Sequence, residues 1–162
     1  MVTYNVTQSA TSNASGNTED VWIEVTAPAG QEIDLKRLKI FYDGGATAVG
    51  DNTVSVRVVS FSSRAIGAVS SATIGTASPT ALYSRVTSCT VDVKNGSTAF
   101  GFSSNGVGSV FLQPRFNERG FYEWVPRDYT EFIEGVPGGT FAVILKNSAV
   151  SRVMITELEW EE

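Results

Sequence analysis

The chain has 162 residues, the length of one average domain, with 42% hydrophobic and only 18% charged residues. It holds no histidine and a single cysteine, Cys89, which excludes Ser-His-Asp and Cys-His catalysis, His-ligated zinc, an intrachain disulfide and a thiolate metal cage. Twelve basic residues against seventeen acidic ones leave a net charge of −5, a poor balance for neutralising nucleic-acid phosphates.

Residues 8–18, Gln-Ser-Ala-Thr-Ser-Asn-Ala-Ser-Gly-Asn-Thr, contain no large apolar side chain and cannot offset their own ordering entropy. With Tyr4, Asn5 and Val6 before them, they read as a polar N-terminal arm over residues 1–20, either frayed or ordered against a partner. Met1-Val2-Thr3-Tyr4 lacks the basic and apolar regions of a secretory signal. No apolar run approaches the roughly 20 residues of a membrane-spanning helix.

From Val21 onward the hydrophobic period is two, which predicts strands with one buried face. Val21, Ile23 and Val25 alternate with Trp22, Glu24 and Thr26, up to a turn at Ala27-Pro28-Ala29-Gly30. Leu38, Ile40 and Tyr42 alternate with Lys39, Phe41 and Asp43, so Lys36, Arg37 and Lys39 are expected along a solvated strand and not in a phosphate site. Val54, Val56 and Val58 form the next β-branched strand. Residues 62–82 are small and polar, too long for an ordinary connection, and predict short strands or a functional loop. Val86, Val91 and Val93 mark a strand closed by Asn95-Gly96, and Phe100 and Phe102 another before Asn105-Gly106. Val110, Leu112 and Phe116, then Tyr122-Glu123-Trp124, Phe132-Ile133, Phe141-Val143-Leu145 and a closing strand from Arg152 to Trp160 complete the series. Eight to ten strands with regular turn signals predict an all-β, antiparallel sandwich or barrel.

Carboxylates are the only acid–base groups available. Glu118, Glu123, Asp128, Glu131 and Glu134 cluster in an aromatic stretch, but Arg115, Arg119 and Arg127 nearby make ion pairs the stronger expectation. Asp43, Gly44, Gly45, Asp51 and Asn52 lack calcium-loop spacing and read as a turn. Asn5, Asn13 and Asn95 begin glycosylation sequons that an Asn/Ser/Thr-rich composition produces incidentally. Phe121, Tyr122, Trp124 and Tyr129, with Arg127 beside them, form either a binding platform or a cap on the sandwich core. Cys89 reads as a small core residue. Glu157, Glu159 and Glu161 give the last strand one acidic face, either an edge protected from aggregation or a docking face for a basic partner. No enzyme, cofactor or metal site is expected.

Tyr122-Glu123-Trp124-Val125-Pro126, then Gly135-Val136-Pro137-Gly138-Gly139-Thr140-Phe141-Ala142-Val143, then Lys146-Asn147-Ser148-Ala149 and Glu157-Leu158-Glu159-Trp160-Glu161-Glu162 recur in one order. Together they resemble the closing strands of small jelly-roll proteins of tailed bacteriophages. The segment Val21-Trp22-Ile23-Glu24-Val25-Thr26-Ala27-Pro28-Ala29-Gly30 is similar to their opening strand and turn. The match covers about half the chain; residues 62–82 have no place in it. The resemblance implies an antiparallel jelly-roll β-sandwich over residues 21–162 behind an extended N-terminal arm. It further implies a homotrimeric capsid decoration (cement) protein, made in the host cytoplasm and bound to the major capsid protein on the outer virion surface. Related jelly rolls form the heads of tail or fibre proteins, so a carbohydrate- or receptor-binding head is the alternative. On this reading Tyr4 and Val6 touch the shell or a neighbour, and Tyr122, Trp124, Arg127 and Tyr129 pack subunits together. No nucleic acid, membrane or small-molecule substrate is implied.

Overall fold

The computed structural model describes residues 2–11, 19–43, 52–61, 74–76, 80–81, 86–94, 109–128, 133–134, 137–147 and 152–162. These residues are all-β. They form β1 (Thr3–Thr11), β2 (Asp20–Thr26), β3 (Asp34–Tyr42), β4 (Thr53–Phe61), β5 (Ile74–Thr76), β6 (Thr80–Ala81) and β7 (Thr90–Lys94). Then follow β8 (Val110–Leu112), β9 (Arg115–Asn117), β10 (Phe121–Trp124), β11 (Ile133–Glu134), β12 (Thr140–Asn147) and β13 (Val153–Glu161). Among the described residues, eight strands have four or more residues and five have two or three, the latter too short to carry a periodic signal.

Every pairing is antiparallel, in two sheets. One runs β10-β3-β13-β1-β6 with β11 also on β3; the other runs β5-β7-β2-β12-β4-β8 with β9 also on β4. Their inner faces share one core. Tyr4, Val6, Leu38, Ile40, Met154, Leu158 and Trp160 come from the first sheet, and Ile23, Val25, Val56, Val58, Val91, Val93, Phe141 and Val143 from the second. This is a β-sandwich. Each fully buried Leu, Ile or Val contributes about 1.5–3 kcal/mol over its exposed state, so the alternating inner residues set the register.

The N-terminal segment differs from the expected arm. All nine residues of β1 pair with β13, from Thr3 opposite Glu161 to Thr11 opposite Val153. Tyr4, Val6 and Ala10 point into the core, while Thr3, Asn5, Thr7, Ser9 and Thr11 form the outward half. The polar composition that suggested an arm is therefore the solvent-facing register of a strand. Residues 12–18 of that segment lie outside the described residues.

Strand β2 also differs. Its side chains are buried on both faces from Asp20 to Val25, and β7 and β12 flank it in the sheet. Strand β13 is central too, between β3 and β1, so its acidic face does not protect an edge. Its glutamates meet cations on β3: Glu161 pairs with Lys36, and Glu159 with Arg37 at 3.1 Å. Val86 stands outside any strand and is 92% exposed. The strand expected at Phe100 and Phe102 lies outside the described residues, as does most of 62–82 apart from β5 and β6.

Two turns lock together at one end. The Gln31 N–H donates to Pro28 O, that of Gly138 to Gln31 O, and that of Ala27 to Gly139 O. Gly30 and Gly138 have φ of 80° and 71°, the left-handed region that glycine tolerates.

Candidate functional site

Strand β10 lies at the edge of the first sheet, in register with β3: Phe121 opposite Phe41, Tyr122 opposite Ile40, Glu123 opposite Lys39 and Trp124 opposite Leu38. The period of two sends Tyr122 and Trp124 toward the core, where they pack half-buried, and Phe121 and Glu123 outward. Tyr122 stacks on Phe116 with ring centroids 6.3 Å apart at 21°, and burial raises its phenol pKa. Phe121 is 61% exposed, and Val125, just past the strand, 52%. An open groove of about 640 Å³ is lined by Glu123, Trp124, Val125 and Arg127.

Charge on this face is arranged in ladders. Arg37 donates from Nε to Glu123 Oε1 at 2.9 Å and from Nη1 to Glu159 Oε1 at 3.1 Å, with Glu157 at 4.0 Å. The hydrogen bonds that Arg37 donates to Glu123 and Glu159 raise its pKa, against a smaller opposing effect of burial. Lys39 lies over the Phe41 ring, 5.0 Å from its centroid, opposite Glu123 on one side and Glu157 on the other. Partly exposed pairs of this kind add little stability, but they fix which residues face solvent.

The second sheet ends at a comparable edge, where Val110 and Phe111 of β8 are 42% and 40% exposed. Phe111 meets Phe141 edge-on at 6.2 Å.

The residues singled out in the sequence therefore separate. Trp124 and Arg127 do come together in the groove lining, whereas Tyr122 turns inward onto Phe116; Tyr129 lies outside the described residues. Tyr4 and Val6 are not there, and neither is available to a partner. Tyr4 is 3% exposed, stacked on Trp160 at 5.8 Å, and donates from its hydroxyl to Val86 O at 3.4 Å; Val6 is 4% exposed. The aromatic–aromatic contact across β1 and β13 explains why Tyr4 turns inward.

The carboxylate cluster also disperses. Glu118 is fully buried, accepts hydrogen bonds from Arg152 and Asn52, and thus serves as a structural ion. Asp128 is exposed, and Glu131 lies outside the described residues. Asn52 of the oxygen-rich loop is spent on Glu118, and Asp43 accepts from Ser9 Oγ at 3.3 Å. Among the described residues, no three His, Cys, Asp or Glu side chains gather in a metal-holding group.

Two constellations escaped the sequence reading. Glu162 gathers the Oγ–H of Thr87, the backbone and side chain of Ser88 at 3.1 and 2.8 Å, Trp160 Nε1–H at 3.3 Å and Gln31 Nε2–H at 3.4 Å. Burial opposes its ionised form, yet bonds from Thr87, Ser88 and Cys89 prevail and hold the carboxyl at about 2. Burial, reinforced by Glu162, pushes the Cys89 thiol up to about 12, which makes it a poor nucleophile. The other constellation is a buried ion pair, Lys94 with Asp20. Neither has a local motif, since each joins residues more than seventy positions apart.

The fold defines a two-sheet, all-β protein with an aromatic, charge-laced edge. No protein-family model matches the chain, and no curated protein matches it in sequence.

Proposed function

We propose that the chain is a non-enzymatic structural protein of a tailed-phage virion, a jelly-roll capsid decoration protein that binds the outer shell as a homotrimer. Its partner is the major capsid protein. The observation that best supports association is the apolar rim: among the described residues, four of the five exposed large apolar side chains, Val110, Phe111, Phe121 and Val125, fall within residues 110–125. They sit on or beside two sheet edges, where unpaired backbone groups add to the drive for partner contact. A subunit that binds only the assembled lattice stabilises that lattice by mass action. Light scattering and co-sedimentation with purified phage shells test this: a trimer that sediments with shells is expected, and a monomer left in the supernatant overturns it.

A second reading, a carbohydrate- or receptor-binding head of a tail or fibre protein, draws on the groove. Trp124 and Arg127 with Glu123 supply the stacking face and hydrogen-bonding groups that a sugar uses. Glycan-array binding lost in Trp124→Ala would favour it, and an array at background would remove it.

A further inference from the structure

Lys94 and Asp20 meet inside the sandwich. Their side chains are 0% and 2% exposed, and Nζ stands 3.3 Å from Oδ2. They belong to neighbouring strands, β7 and β2, held in antiparallel register from Ile23 opposite Val93 to Thr26 opposite Thr90. Around them Val21, Trp22, Ile23 and Val93 are 0–4% exposed, so water has little access. The Lys94 backbone is fixed as well: its carbonyl accepts a hydrogen bond from Gln8 Nε2 on the opposite sheet, and the residue pairs with Ile74.

Two reacting groups held at contact distance in a dry, rigid site satisfy the positional demand of an intramolecular condensation. We propose that Lys94 and Asp20 form a site of spontaneous amide cross-linking, in which the lysine Nζ becomes covalently joined to the Asp20 side-chain carbonyl.

The chemistry balances without an external reagent. The Lys94 ammonium passes one proton to the Asp20 carboxylate, leaving a neutral amine and a carboxylic acid. The amine lone pair attacks Cγ, forming the C–N bond and a tetrahedral centre. The centre expels one hydroxyl, which takes a second proton from nitrogen and departs as water. No oxidant or reductant enters. Desolvation lowers the Lys94 pKa against the raising effect of Asp20, in the direction that supplies free amine.

The product would tie β2 to β7 and close the 20–94 segment into a covalent loop, a constraint that acts chiefly by restricting the unfolded chain. Such a lock suits a protein whose working state must outlast mechanical or thermal insult, and it stands whether or not the chain decorates a capsid.

The test is the intact mass of the purified full chain under denaturing conditions, with peptide mapping. A mass lower by one water is expected, together with a branched tryptic peptide in which Lys94 resists cleavage and carries the Asp20 segment. Lys94→Arg keeps the charge but cannot condense this way, so it should retain the full mass. Folded wild-type protein that keeps its full sequence mass after prolonged incubation, with tryptic cleavage at Lys94, overturns the proposal whatever the variant does.

Discussion

The guanidinium of Arg152 lies across the carboxylate of Glu118, Nε to Oε2 and Nη2 to Oε1 both at 3.3 Å, with the two side chains 5% and 0% exposed. The pair joins the start of β13 to the loop after β9, and Asn52 Nδ2–H completes it at 3.1 Å from Oε1. Removing one partner of such a pair strands the other charge in a poorly solvated site. Glu118→Ala is therefore expected to cost about 3–5 kcal/mol in urea unfolding. A loss of unfolding free energy below a tenth of that would show the pair to be dispensable.

Glu162 predicts an acid limb. Its folded-state value of about 2 lies below the ordinary 4.5, so its contribution is fully present above about pH 4.5 and lost as pH falls toward 2. Wild-type stability should decline through that window. Glu162→Gln should be less stable at neutral pH and show a flatter decline, measured by thermal melts at successive pH values.

Gly138 and Gly30 make a paired test of backbone strain. Both have positive φ, but a Cβ on Gly138 would sit 3.3 Å from Ala29 Cα, whereas one on Gly30 meets nothing within 4 Å. Gly30→Ala should cost about 1 kcal/mol from conformation alone. Gly138→Ala should cost more, because two backbones must part. Equal shifts in calorimetric melting would contradict the close approach of the two turns.

Tyr4 and Phe121 separate packing from association. Tyr4→Ala should remove about 3–5 kcal/mol, the usual cost of truncating a buried aromatic ring. Phe121→Ser should leave the melting curve within about 0.5 kcal/mol of wild type while reducing self-association in light scattering. The reverse pattern would place the interface on β1 and undo the assignment of the rim.

The class of fold was legible because Leu38, Ile40, Val54, Val56, Val58, Phe141 and Val143 repeat at period two and all lie in the core. Cys89, read as a small core residue, is buried. Strand β1 was not legible: at positions 3–11 its inward set includes only two large apolar residues, Tyr4 and Val6, too few to outweigh the Ser, Thr and Asn between them. Partner strands were beyond reach for another reason. Period-two alternation says which residues share a face but not which strand lies beside which, so the placement of β13 between β3 and β1 could not be foreseen. The pairing of Trp124 with Arg127 at the groove was visible because the two are sequence neighbours. Lys94–Asp20 and Glu118–Arg152 were hidden because charged residues ordinarily face water, and only tertiary pairing permits the exception.

Strand β13, the last in chain order, is the shared neighbour of β1 and β3 and ends beside the amino-terminal strand, where Val2 and Glu162 exchange backbone hydrogen bonds at 3.0 and 3.1 Å. A nascent polypeptide still lacking Val153–Glu161 holds the earliest and third strands with nothing to bridge them. The first sheet thus closes only once this segment has joined it. A chain cut short before β13 exposes two long strand flanks at once, ready for aggregation or for quality-control proteases.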